Sequence, residues 1–133
     1  MPDITRILAG ILLLSLVTVE TGGIYLVRLV QGAAPSTPFQ LGFARAGHAH
    51  AGVLLILSLT ALLYADAVHL TGPWGWLARV GVPVAALLMP AGFFFSSMGK
   101  NRTTPNGFIA LVYTGATVLA AGLASLGIGL LAA

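Results

Sequence analysis

The stretch ARAGHAHAGVLLILSLTALLYADAVHL, Ala44–Leu70, decides what kind of protein this is. From Ala51 to Leu63 it holds no ionisable side chain, and Ser58 and Thr60 are the only hydroxyls. A helix crossing a bilayer needs about 20 predominantly apolar residues, and this run meets that length. Its start is unusual. Arg45, His48 and His50 stand where the apolar run begins, with Gly47 and Gly52 on either side of the histidines.

The rest of the chain is of the same kind. Of 133 residues, 58% are hydrophobic and 7% charged, against about 25% charged in a typical soluble domain. So few charges cannot cover the surface of a soluble fold this size, so the lipid bilayer is the expected solvent and partner. Three more apolar segments match the first, giving spans over 4–30, 44–70, 74–97 and 105–133. Prolines and polar residues mark the loops: QGAAPSTPFQLGF, LTGPWG and MGKNRTTPNG, with Pro105 placed for a first helical turn. The expectation is an all-α integral membrane four-helix bundle, one transmembrane domain over 1–133. The net charge of +3 comes from residues flanking apolar runs rather than from a basic stripe, so nucleic acid is not an expected partner. The absence of cysteine excludes disulfides, thiolate metal sites and thiol chemistry.

Arg6 followed by Ile7–Val19 resembles the front of a secretory signal, but Glu20 and Tyr25 lie in its continuation and no small-x-small cleavage site follows. The first span is therefore read as a helix of the bundle. Four spans put both ends of the chain on one side, side A, with Arg6 and Arg79 opposite Asp3 and Asp66. Side B holds Arg28, Arg45, Lys100 and Arg102. The positive-inside rule would place side B in the cytoplasm.

Ionisable groups at membrane depth are costly and mark functional candidates. Glu20, deep in the first span, is expected to face the bundle interior, find a partner or be protonated. It reads as proton carrier, metal ligand or histidine partner, or as a structural hydrogen bond between helices. His48 and His50, two apart, point about 200° from each other on a helix. They cannot chelate one ion as an i, i+4 pair does. They serve two sites, or one site and one structural partner, in the same layer as Glu20. Gly47 and Gly52 leave room beside them for a flat group such as a porphyrin; the plainer reading is interfacial histidines bonded to headgroups and carbonyls. Asp66 and His69 share a face, as a second metal site or, preferably, a helix-end pair with Arg79. Met89 and Met98 read as packing. Gly115, Gly122 and Gly129, seven apart, form a small-residue stripe for packing within the bundle or between protomers. Pro83 and Pro90 are expected to kink the third span, and Trp74 and Trp76 to sit at the side-A interface.

The motif GHAHAGVLLILSL resembles a histidine-bearing helix in the catalytic subunit of haem–copper oxidases and nitric oxide reductases. In that family two histidines one residue apart hold two haems on opposite faces of a helix, and the subunit comprises three four-helix repeats. Four helices with histidines on the second resemble one such repeat. The resemblance implies b-type haem bound through His50 or His48 as iron ligands, with Arg45, Arg28, Lys100 and Arg102 available to the propionates and Glu20 nearby. It implies electron transfer, or haem or gas handling, in a bacterial or archaeal cytoplasmic membrane. It favours a homo-oligomer, a trimer before a dimer, with both termini in the cytoplasm. Three histidines for a binuclear centre and the family's tyrosine cross-link motif are missing, so oxygen or nitric oxide reduction is not implied.

A second likeness points to a different class. Glu20 in ETGG resembles the membrane-embedded glutamate of small multidrug-resistance transporters, four-helix chains of similar length. It implies proton exchange at Glu20 for a cationic substrate across a dimer.

Overall fold

The computed structural model describes residues 2–133. It contains four helices, each long and apolar enough to cross a membrane: α1 (Asp3–Val30), α2 (Pro38–Ala67), α3 (Gly72–Ser97) and α4 (Ala110–Leu131). No strand occurs among the described residues. The chain is an all-α membrane bundle.

The second helix begins six residues before the expected 44, at Pro38, because the apparent loop chemistry of STPFQ is a helix start. Thr37 Oγ1 accepts from the Gln40 amide at 3.2 Å, and Gln40 Oε1 accepts from the Thr37 amide at 3.1 Å. This reciprocal box satisfies two of the donors a helix start leaves open, and Pro38 occupies a position where its missing N–H costs nothing. α2 ends at Ala67 rather than Leu70. His69 takes a left-handed conformation (φ 51°), and the Leu70 amide donates back to the Ala65 carbonyl at 3.0 Å, as in a Schellman-type stop. Pro105 precedes a short 3₁₀ turn, Gly107–Ile109, instead of opening α4 directly.

α3 lies at the centre, packed on α2 and on α4, while α1 packs principally on α2 and forms one edge. The α3–α4 seam depends on glycine. A Cβ at Gly81 would stand 2.8 Å from the Gly122 Cα, so the two backbones touch. Gly115 faces Met89, and Gly129 faces Leu70. The stripe on α4 is thus spent within the bundle, which decides between the two readings of it. Leu62, Ala65, Ala78, Val82 and Ala85 form the driest part of the interior. Outward faces are apolar, as with the exposed Leu14 and Leu87, and suit hydrocarbon. Trp74 and Trp76 are exposed at the side-A start of α3, where aromatic side chains favour the membrane–water boundary.

The side-A end is tied by a polar lock. Asp66 of α2 meets Arg79 of α3 at 3.0 Å, both side chains mostly buried, and the fully buried Thr5 of α1 donates to Asp66 Oδ1 at 3.0 Å. Arg79 also donates to the carbonyls of Leu70 (2.6 Å) and Gly75 (3.2 Å). Asp66 thus pairs with Arg79, the partner suggested for it, but not with His69 as the helix-end pair expected. His69, on its left-handed turn, is exposed and outside this network.

Candidate functional site

Helix lengths set the depth of the candidate residues. α2 has 30 residues, about 45 Å at 1.5 Å per residue, against a hydrocarbon core of about 30 Å. His48 lies ten residues inside its side-B end and Glu20 ten residues inside the side-B end of α1, each about 15 Å. The earlier start of α2 therefore places His48 as many residues inside its helix as Glu20 is inside α1.

The two imidazoles face different helices, as their spacing requires. His48 turns to α1. A Cβ on Gly22 would lie 3.4 Å from His48 Nδ1, and one on Gly23 would lie 3.4 Å from Cε1. The glycine pair of ETGG is thus the surface on which the His48 ring lies. His50 turns to α3. Its ring centroid stands 4.9 Å from that of Phe93, tilted by 38°. Phe93 in turn meets Phe43 edge-on at 5.4 Å, and Phe43 meets Phe39 at 4.3 Å. An aromatic row therefore runs from His50 toward side B.

His50 Nδ1 lies 2.7 Å from the Ala46 carbonyl, one turn back on its own helix. A carbonyl only accepts, so the proton must be on Nδ1. In the neutral ring Nε2 then holds the lone pair, the state of a metal-ligating imidazole whose other nitrogen is fixed by a carbonyl.

The glycines flanking the pair differ. Gly52 has open space where a side chain would stand. Gly47 does not: a Cβ there would be 2.9 Å from the Phe94 ring and 3.2 Å from Phe93 Cβ. Its missing side chain admits the α3 aromatics, so only Gly52 leaves the expected room. Glu20 is exposed on α1 and takes part in neither ion pair among the described residues. Of the three alternatives for this carboxylate, the structure does not show the inward-facing one. The side of α1 that meets α2 is given to Val19, Gly22 and Gly23, and Glu20 falls outside it. Arg45 is exposed on α2, one turn toward side B from His48.

Phe93, Gly22 and Gly23 shape the histidine environment and are legible only once helix neighbours are known. A cleft of about 430 Å³ opens beside this layer between α1 and α3, lined by Thr18, Val19, Ala51, Pro83 and Pro90 among others. Neither histidine lines it. No group of three or more histidine, aspartate or glutamate side chains among the described residues is placed to hold a metal ion. Comparison with protein-family models, curated proteins and solved structures finds no match.

Proposed function

We propose that this chain is a small membrane haem protein in which His50 supplies an axial nitrogen to a b-type haem. The observation supporting it is the bond from His50 Nδ1 to the Ala46 carbonyl, which leaves Nε2 as the free donor at membrane depth. The ligand atom fits. Space for the macrocycle is less complete, because neither the α1–α3 cleft nor the side-B cleft is lined by a histidine. The reading therefore includes a homo-oligomer, a trimer before a dimer, with the remaining wall from a neighbouring copy. Arg45 is available to a propionate, and His48, against the α1 glycines, to a second ligand position. Haem would supply one-electron or gas-binding chemistry, and the protein its ligation, burial and electrostatics.

The experiment is a visible spectrum of the detergent-purified protein. A Soret band that sharpens on dithionite reduction and is lost in His50→Ala supports the reading. A colourless preparation from cells supplied with a haem precursor refutes it.

A second reading rests on the exposure of Glu20. A carboxylate on the outer face of the edge helix, level with the histidines, suits proton-coupled carriage across a dimer. It predicts that Glu20→Gln abolishes proton-coupled uptake into liposomes while His48→Ala and His50→Ala leave it unchanged.

A further inference from the structure

The cations of this chain are distributed unequally in what they meet. At side A, Arg6 is paired with Asp3 at 2.9 Å and Arg79 with Asp66 at 3.0 Å. At side B, Arg28, Arg45, Lys100 and Arg102 form no ion pair among the described residues. The chain has three carboxylate side chains, Asp3, Glu20 and Asp66, and Glu20 lies about 15 Å from the side-B end of α1. Four cations thus share one membrane surface without an anion of their own.

One of these cations, Arg102, stands at the edge of a cleft. A space of about 400 Å³ opens at side B between α1, α2 and α3, within the range of about 300–1,000 Å³ for small-molecule pockets. Tyr25 and Leu29 form one wall, Ala44 the next, and Phe94 and Phe95 the third. The Gln40 side-chain amide donates to the carbonyls of Ser97 (3.0 Å) and Gly99 (2.8 Å), fixing the outer edge. Arg102 lies over that edge: its Nε would be 3.2 Å from a Cβ on Gly99, itself a lining residue. The Thr37 hydroxyl holds the Arg102 carbonyl. Arg28, Arg45 and Lys100 adjoin the lining residues Leu29, Ala44 and Gly99 in sequence.

We infer that this cleft binds an anionic phospholipid, with acyl chain against the α1 and α3 side chains and phosphate among the unpaired side-B cations. The cleft runs from apolar walls to an edge that carries Arg102, with the other side-B cations next in sequence to its lining, which matches an amphiphile with an anionic head. A zwitterionic head brings its own cation to that edge and gains less. Basic groups at a membrane surface each favour anionic lipid appreciably. The inference does not rest on the haem reading, because its readout is the mass of a retained lipid.

The test is native mass spectrometry of the purified protein equilibrated with mixed dioleoyl phosphatidylglycerol and phosphatidylcholine. Wild type is expected to retain one phosphatidylglycerol per chain, in roughly tenfold preference over phosphatidylcholine. Arg28→Gln and Arg102→Gln should each lower that retention roughly fivefold, and Arg6→Gln, on side A, should leave it unchanged. Equal retention of the two lipids, or equal loss in Arg6→Gln, overturns the inference. If Arg102→Gln does not fold, as judged by circular dichroism, the double variant Arg28→Gln/Lys100→Gln makes the same test on exposed side chains.

Discussion

Gly81→Ala perturbs the seam on which α3 and α4 meet. The added methyl would stand 2.8 Å from the Gly122 Cα and 3.3 Å from the Val118 carbonyl oxygen, whereas carbon atoms rest at about 3.5–4.0 Å. The obstacle is backbone, which has no rotamer to change, so the helices must part by roughly 1 Å. Overpacking of this kind costs about 1–3 kcal/mol. The helix-propensity gain of alanine does not offset it, because in a bilayer the separated helices remain helical. Gly127 on the same helix supplies the control, with nothing near its would-be Cβ. Gly127→Ala should change stability by less than about 0.5 kcal/mol. Unfolding by dodecyl sulfate in bicelles, followed by Trp74 and Trp76 fluorescence, measures both variants, since the Trp74 carbonyl accepts from Ser125 of α4 at 2.7 Å. If Gly81→Ala were as stable as Gly127→Ala, the close backbone contact would be wrong.

Other parts of the structure make separate demands. Arg79→Leu leaves the mostly buried Asp66 carboxylate unpaired and should destabilise the bundle by about 3–5 kcal/mol, measurable in the same titration, with Thr5→Val costing about 1 kcal/mol. Thr37→Ala removes the helix cap and should cost about 0.5–2 kcal/mol, with faster hydrogen exchange over residues 38–42 and unchanged exchange at the α2 C-terminus. In ¹⁵N spectra of the metal-free protein, His50 should show a protonated Nδ1 and a free Nε2; an Nε2–H tautomer would contradict the assigned bond.

The spans were legible because hydrocarbon imposes a length and composition that no other environment does. Their ends were less so. STPFQ reads as loop from its proline and hydroxyls, yet the Thr37–Gln40 pairing and Pro38 make it a helix start, which sets the histidines further inside the helix. The opposite facing of His48 and His50 followed from helical periodicity alone, and the structure places them against α1 and α3 accordingly. Which helix each faces did not follow, because periodicity gives a direction without naming a neighbour. For the same reason Gly47 read as room for a ligand when its space belongs to Phe94, and the inward-facing alternative for Glu20 stood open until glycines were seen to hold that side. Thr5, beside Arg6 at the polar start of the first span and unmarked as a candidate, is fully buried on Asp66.

The central claim is that His50 Nε2 ligates haem iron, and haem titration of His50→Gly tests it most directly. Wild type should bind haem with a shifted Soret band. His50→Gly should lose that binding and regain it when free imidazole enters the space left by the side chain. Full haem binding by His50→Gly without imidazole, or no binding by wild type, would contradict the account.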